Sequence, residues 1–282
     1  DGIDVSIKIV EVKSENELYF IQNEEKILKT LMGGHPSIPI LYDIFSEGPF
    51  YFIVMEFLED YIALLDWTNS YVPLIFESDY ESDKIQELVK LREDDITEIF
   101  ANIISAINYL HSKSVVHRDL KLENIMVNPN TKSVKIIDYG FSIVSENMIW
   151  STICGSFEYL APEILQDIMK HNYQQGHDVV YSTYSIQSEV WSIGVILYGM
   201  IFCRLPFFHQ SKIKLFNMIL NTEISFAPEN VILNENLKKL LLEMLNKDPE
   251  KRIEFDKISQ HPFLQKFFQN SDNQEDQNSQ IQ

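Results

Sequence analysis

The segment VVHRDLKLENIMVN, residues 115–128, places charged and amide side chains between two apolar runs. Neither a strand nor a helix requires such a cluster, whereas a site that positions a phosphate ester does. Such a site needs a carboxylate to orient a hydroxyl nucleophile, a cation for phosphate oxygens, and oxygen ligands for Mg²⁺. Asp119, Lys121 and Asn124 supply one of each within six positions. The pattern therefore predicts phosphoryl-transfer chemistry at this segment.

A second carboxylate follows shortly after this cluster. In VKIIDYGFS, residues 134–142, an apolar strand leads to Asp138, and Gly140 allows the backbone to turn sharply. A carboxylate at the end of a strand is well placed to be a metal ligand. The segment STICGSFEYLAPEIL, residues 151–165, comes next.

The elements that must position these residues change in character along the chain. The first sixty residues predict a strand over 5–12, a helix over 14–31 and two strands within 39–57, joined by a turn at 47–49. Ser14 and Glu17 can form a capping box at the start of the helix. Amphipathic helices are predicted over 96–113 and within 235–252, where Asp248-Pro249 ends the helix. A helix that is apolar nearly all round, hence buried, is predicted over 187–202.

Composition excludes some classes of function. The net charge of -19 argues against nucleic-acid binding and permits basic protein partners, although simple solubility also explains it. No apolar run reaches the length of a membrane span. Cys154 and Cys203 give neither a disulfide framework nor a zinc site, which fits an intracellular location, cytoplasmic with the nucleus left open.

The motifs together resemble the catalytic domain of eukaryotic-type protein kinases over about residues 3–265. The similarity rests on four motifs in register, namely His117-Arg118-Asp119-Leu120-Lys121 with Asn124, Asp138-Tyr139-Gly140 with Tyr for the usual Phe, Ala161-Pro162-Glu163, and Val5-Ser6-Ile7-Lys8. The form of residues 152–163 is most similar to the calcium/calmodulin-dependent and cyclic-nucleotide-dependent kinase groups, and His261-Pro262-Phe263 near the end resembles the first of these. The resemblance implies an α+β, two-lobed fold with a small β-rich lobe and a large helical lobe.

The resemblance also implies roles for the catalytic residues. Asp119 would orient the substrate hydroxyl, Lys121 would contact the transferring phosphoryl group, and Asn124 and Asp138 would hold Mg²⁺. Arg118 would pair with an activating phosphate on Thr152, although Thr152 is equally well a plain loop hydroxyl. Because the basic residues that usually join that pocket are replaced by Phe20 and Ile143, we expect phosphorylation there to contribute little.

A nucleotide site is implied between the lobes, with ATP and Mg²⁺ as cofactors. Lys8 would contact the phosphates and pair with a helix glutamate, Glu24, with Glu25 as the alternative. The adenine would lie against the backbone of the hinge, Glu56 to Leu58, next to Met55 as gatekeeper.

Structural pairings are implied in the same way. Glu163 would pair with Arg252, and an apolar column would link the lobes through Leu28, Leu41, His117 and Tyr139. Glu189 stands where the family usually has Asp, so its bonds to the catalytic-loop backbone are expected to shift.

The implied domain limits are a partial small lobe over 1–58, a large lobe over 59–269 and a disordered tail over 270–282. Insertions are expected near 71–90, as a loop, and near 166–181. The family's Gly-rich phosphate loop and first two strands should precede Lys8, where only seven residues stand. We therefore expect a fragment, or alternatively a truncated kinase, with weakened ATP binding.

The expected activity is phosphorylation of Ser or Thr in proteins, since Lys121 is typical of Ser/Thr kinases. Glu123 matches a residue that binds Arg near the target, so substrates rich in Arg or Lys are one interpretation and a solvated acidic rim is the other. A catalytically inactive scaffold is the main alternative, but it has no chemical need for Lys8, Asp119, Asn124 and Asp138 together. A small-molecule kinase is a third hypothesis. The sequence specifies no oligomeric state.

Overall fold

A small antiparallel sheet with one helix forms the first lobe. The computed structural model describes residues 2–71, 82–144, 156–174, 184–226, 233–265 and 267–268. The small lobe contains β1 (Val5–Glu11), α1 (Glu15–Leu31), β2 (Leu41–Glu47) and β3 (Phe50–Glu56), with β3 between the other two strands. The predicted order of strand, helix, strand, strand is confirmed. Gly48 adopts a φ of 59° in the turn between β2 and β3, a conformation that favours glycine.

The start of α1 differs in detail from the predicted capping box. The Ser14 side chain accepts a hydrogen bond from the Glu17 backbone N–H at 3.3 Å, as expected of an N-cap. The Glu17 carboxylate, however, accepts from the backbone N–H of Lys13 at 2.6 Å. The carboxylate therefore satisfies a donor one residue before the N-cap.

The second lobe is larger and mainly helical, which confirms the α+β, two-lobed architecture. Its strands are β4 (Ile62–Ala63), β5 (Val115–Val116), β6 (Ile125–Val127), β7 (Val134–Ile136) and β8 (Ile143–Val144). Its helices are α2 (Leu64–Asn69), α3 (Ser82–Ser112), α4 (Pro162–Gln174), α5 (Ile186–Phe202), α6 (Lys212–Asn221), α7 (Glu235–Met244) and α8 (Phe255–Ile258). Strands β4, β6 and β7 form one antiparallel sheet, while β5 pairs with β8.

Helix α5 is the centre of the large lobe. Every residue from Ser188 to Phe202 is buried, as the continuous apolar pattern predicts. Helices α3, α7 and α8 pack around it. Gly194 permits the close approach of α7, because a Cβ at that position would lie 2.9 Å from a methyl carbon of Leu245. This buried helix gives the catalytic loop a rigid base.

Two predicted boundaries are wrong. Helix α3 begins at Ser82, so 82–90 are helical and not part of a loop, and 72–81 lie outside the described residues. The second expected insertion stays a prediction: its residues 166–174 belong to helix α4, which ends at Gln174, and 175–181 lie outside the described part. Helix α7 ends at Met244, four residues before Asp248, where its end was expected.

The early end of α7 has a local cause. The Asn246 side chain accepts a hydrogen bond from the backbone N–H of Asp248 at 3.0 Å, which favours a turn over a further helical turn. The tail over 270–282 lies outside the described residues. Among the helices of the described part, none combines the length and apolar character needed to cross a membrane.

Candidate active site

The catalytic segment, residues 117–124, connects β5 to β6 and is hydrogen-bonded to α5. Glu189 of α5 accepts hydrogen bonds from the backbone N–H groups of His117, at 2.7 Å, and Arg118, at 3.3 Å. Arg118 has a φ of 65°, which is strained for a residue with a side chain. The other Glu189 oxygen lies 2.5 Å from Nε2 of His111 on α3. Glu189 therefore bonds to both of these backbone N–H groups, and the expected shift of the bonds relative to the family stays a prediction.

Burial and pairing act in opposite directions on Glu189. Complete burial would raise the pKa of its carboxyl, but the hydrogen bond and charge of His111, together with His117, outweigh burial and hold the pKa below its ordinary value. Burial lowers the pKa of His117, so its ring is neutral near pH 7. Because His117 Nδ1 accepts from the Asp119 backbone N–H, Nε2 donates to the Ile137 carbonyl at 3.2 Å.

The three polar residues of the opening motif meet as predicted. One Asp119 oxygen lies 2.8 Å from Nζ of Lys121 and accepts from the Asn124 amide at 3.0 Å. The other oxygen accepts from the backbone N–H of Ser156 at 3.1 Å. The Ser156 hydroxyl also lies 3.2 Å from Nζ of Lys121. A nearly buried carboxylate with fixed donors on both oxygens is suited to orient a hydroxyl nucleophile.

A chain of ion pairs joins the two lobes beside this cluster. Nζ of Lys8 lies 2.8 Å from Glu24 on α1 and 2.9 Å from Asp138, which follows β7. Glu25, the alternative partner, pairs instead with exposed Lys29 at 2.6 Å. The turn expected at Gly140 is present, closed by a hydrogen bond from the Ser142 backbone N–H to the Tyr139 carbonyl at 3.0 Å, and Asp138 just before it has a φ of 63°. This strained backbone brings the Asp138 carboxylate within reach of Lys8.

Each charged group in this series of ion pairs shifts the pKa of the others. Burial lowers the pKa of Lys8, but Glu24 and Asp138 outweigh burial and raise it above its ordinary value. Burial raises the pKa of Glu24, with the Lys8 charge opposing that shift. Burial also acts to raise the pKa of Asp138, and Lys8 overcomes this and lowers it. Asp138 is therefore an anion at neutral pH, as a metal ligand must be.

A cavity of about 340 Å³ lies between the lobes, next to Lys8 and Asp138. Its walls include the predicted gatekeeper and hinge, namely Met55, Glu56, Phe57 and Leu58, with Leu28 and Met126. The Glu56 side chain bonds to Nζ of Lys135 at 2.6 Å and to the Ile40 backbone N–H at 3.1 Å. A mostly apolar slot with ionic groups at one end suits a flat heterocycle that carries phosphates.

The chemistry of the donors fits Mg²⁺ better than a metal held by protein alone. Within the described ranges, no three His, Cys, Asp or Glu residues are grouped as a metal site. Magnesium takes one or two protein carboxylates and completes its shell with water and phosphate oxygens. Asp138 and the Asn124 amide oxygen provide this kind of ligand set.

Two further implied arrangements are present. The column of Leu28, Leu41, His117 and Tyr139 is buried throughout, and the rings of His117 and Tyr139 lie 5.2 Å apart. Arg252, whose side chain is fully buried, binds Glu163 through both guanidinium nitrogens at 2.8 and 2.9 Å. The first arrangement connects the catalytic segment to Tyr139, and the second connects α4 to the residues that follow α7.

Some expectations remain predictions, since Thr152 and Cys154 lie outside the described residues. The Arg118 guanidinium donates to the Phe141 carbonyl at 2.7 Å, which fixes the start of the segment that leads to Thr152. Sequence reasoning missed Ser156, Lys135 and His111. Only Ser156 had a signal, because it lies within the GSFEYLAPE motif.

Comparisons with known proteins agree with this geometry. The model of the protein kinase domain matches residues 1–264. The mouse (Mus musculus) phosphorylase b kinase gamma catalytic chain, liver/testis isoform, is 29% identical over 274 residues, covering 94% of this chain and 61% of its own length. The probable serine/threonine-protein kinase fhkE of Dictyostelium discoideum is 31% identical over 275 residues, covering 93% of this chain and 34% of its own.

A third relative shows the same relation. The putative ribosomal protein S6 kinase alpha-2 of Caenorhabditis elegans is 29% identical over 286 residues, which cover 94% of this chain and 32% of the relative. The chain therefore spans less than two thirds of the curated relatives it matches. Since the family model covers nearly all of the described structure, this chain belongs to the protein kinase family.

Proposed function

We propose that this chain is a serine/threonine kinase catalytic domain that transfers the γ-phosphoryl group of Mg·ATP to hydroxyl groups of proteins. The observation that carries the proposal is the assembled ion-pair chain of Lys8, Glu24 and Asp138 beside the cavity between the lobes. Kinase catalysis requires the lysine–glutamate pair and the metal-binding aspartate in place together. A scaffold would not need this arrangement.

Each residue then has a role that its contacts support. Asp119 accepts the hydrogen bond of the substrate hydroxyl and orients its oxygen, while Lys121 offers positive charge to the phosphoryl oxygens. Lys8 contacts the nucleotide phosphates from the small lobe. Asp138 and Asn124 would hold Mg²⁺, which when bound neutralises charge on the phosphate oxygens.

Transfer of labelled γ-phosphate from Mg·ATP to a Ser/Thr peptide pool tests this proposal with the full chain. Asp119→Asn should lower transfer by at least about 100-fold, because general-base residues contribute on that order. Asp94→Asn, on the exposed face of α3, is the matched control and should leave transfer unchanged. Nucleotide binding without any transfer by the unsubstituted chain would refute the proposal and favour a scaffold.

We further propose a preference for Arg or Lys near the target hydroxyl. Glu123 lies in the catalytic segment and is exposed. One of its oxygens accepts a hydrogen bond from the Tyr159 hydroxyl at 3.3 Å, which orients the carboxylate. Peptides with Arg replaced by Ala near the target should lose kcat/KM, and Glu123→Gln should reduce that loss. Equal use of both peptides would show that Glu123 is merely part of a solvated rim.

A further inference from the structure

Tyr139 carries a hydroxyl that the usual Phe of this motif lacks, and the structure gives that hydroxyl a partner. The phenol donates to the backbone carbonyl of Ile136 at 3.0 Å. The Tyr139 side chain is only 1% exposed and lies against His117. A buried hydroxyl that loses such a bond has no water to replace it, so the bond favours this one position of the ring.

The position of Tyr139 is coupled to that of Asp138 through the peptide bond between them. Asp138 reaches Lys8 at 2.9 Å with a backbone φ of 63°, a conformation that costs free energy. If the Asp138 backbone relaxed and moved its carboxylate away, the Tyr139 ring would leave its pocket. Relaxation would therefore break the buried bond to Ile136.

The residues after Tyr139 restrain the same turn. The Tyr139 carbonyl accepts from the Ser142 backbone N–H at 3.0 Å, and the Ser142 hydroxyl donates to the His117 carbonyl at 3.2 Å. Tyr139 thus joins β7 through its side chain and the following turn through its backbone. Burial raises the pKa of the Tyr139 phenol, so it stays a hydrogen-bond donor over the usual pH range.

We infer that the Tyr139 hydroxyl is a positioning group: its bond to the Ile136 carbonyl holds the strained Asp138 carboxylate in its metal-binding position beside Lys8. The inference rests on the proposed function for the role of Asp138. It predicts that the chain favours the metal-ready arrangement more strongly than an otherwise identical chain with Phe.

Tyr139→Phe removes the one oxygen and keeps the ring, so it tests the inference directly. Loss of this single buried hydrogen bond should raise the half-saturating Mg²⁺ concentration for nucleotide binding by about threefold to tenfold. Amide exchange at 140–142 should accelerate to a similar degree, while nucleotide affinity without Mg²⁺ should stay within about twofold. Binding and exchange are measured on the full chain and require no turnover.

Tyr198→Phe is the matched control. Tyr198 lies on α5, and its hydroxyl also donates to a backbone carbonyl, that of Ser225, at 2.6 Å. Its loss should lower the free energy of unfolding without changing Mg²⁺ dependence or exchange at 140–142. The inference is overturned if Tyr139→Phe changes these two quantities no more than Tyr198→Phe does. If the chain transfers no phosphate, the proposed function fails, and the binding and exchange results still decide the inference.

Discussion

At the scale of single residues, the geometry of the site depends on the two carboxylates that Lys8 contacts. Its ammonium group binds one carboxylate from each lobe, Glu24 from α1 and Asp138 from the end of β7. Glu24 is nearly buried, whereas the neighbouring Glu25 is turned outward toward Lys29. Two adjacent glutamates thus have opposite environments, which provides an internal control.

Glu24→Gln should lower kcat/KM for peptide phosphorylation by about tenfold or more, because Lys8 loses the charge that orients it. Glu25→Gln removes the same charge from the same helix and should have an effect below about twofold, since exposed ion pairs contribute little. Steady-state kinetics on both variants measures the difference. Equal losses of kcat/KM in the two variants would mean that activity depends on the total charge of α1 and not on the contact of Glu24 with Lys8.

Residue roles were predictable where a motif fixes the spacing in sequence. The spacing of Asp119, Lys121 and Asn124 places them in one short segment, so their contact follows from local structure. His111 could not be found in this way. Its partner Glu189 is 78 positions away, and their contact exists only because α3 and α5 pack together.

At the scale of elements, α1 contacts the start of the segment that follows Asp138 through a hydrogen bond and a ring pair. The Asn23 amide donates to the Ser142 carbonyl at 2.7 Å, and the ring of Phe20 meets that of Phe141 edge to face at 6.2 Å. These contacts are uncharged. They hold α1, and with it Glu24, toward Lys8.

Asn23→Ala should therefore weaken the Lys8–Glu24 contact and raise the KM for ATP about threefold to tenfold, in proportion to one lost hydrogen bond. Gln22→Ala, on the exposed face of α1, should leave KM unchanged. Amide exchange along α1 should rise only in the Asn23 variant. An unaltered KM together with unaltered exchange would show that other contacts position α1.

The connection from α1 to β2 depends on a close approach to α3. The Tyr109 hydroxyl donates to the Leu31 carbonyl at 3.0 Å, and its ring stacks on His35 at 5.6 Å. A Cβ on Gly34 would lie 1.8 Å from the Tyr109 hydroxyl oxygen. The stacked ring cannot move aside without losing both contacts.

Gly34→Ala should lower the free energy of unfolding by about 1–3 kcal/mol, the usual cost of overpacking. Combining it with Tyr109→Leu removes the clash, so the double variant should lose less stability than the sum of the two single variants. Urea unfolding of the three variants measures these values. Strict additivity would argue against a direct clash.

Elements were predicted best where the apolar residues mark their extent. The strands and helix of the small lobe lie where they were predicted, although Ile7 and Ile9 of β1 are exposed, and α5 is buried all round as its apolar residues predict. The acidic start of α3 lacks such a pattern, yet Arg92 shows how tertiary contacts extend the helix. Its guanidinium stacks on Tyr71 at 3.9 Å and donates to the Met200 carbonyl at 2.8 Å.

At the scale of the whole molecule, Glu189 links three parts of the large lobe. It extends from the central helix α5, binds His111 on α3 and accepts both N–H groups at the start of the catalytic segment. Because Arg118 has a strained backbone, these two bonds also fix the direction in which the chain enters the segment that carries Asp119. Stability and catalytic geometry are therefore linked through one buried carboxylate.

Glu189→Gln should lower the free energy of unfolding by about 2–4 kcal/mol near pH 7, because bonds to a buried charge are replaced by weaker ones. The pKa of Glu189 is lower in the folded protein than in the unfolded chain. Its contribution is thus fully present above the unfolded pKa of about 4.3 and is lost as the pH falls through the lower folded pKa. The stability difference between the two proteins should shrink accordingly below about pH 4.

Urea unfolding from pH 3 to pH 7 measures this difference, with Glu98→Gln, a half-exposed carboxylate on α3, as the control. The control should show a small difference at every pH. A Glu189→Gln difference that stayed constant down to pH 3 would show that shape, and not charge, makes Glu189 stabilising. Because the lost bonds also support the Arg118 backbone, kcat should fall in Glu189→Gln even at pH 7, where the variant is still folded.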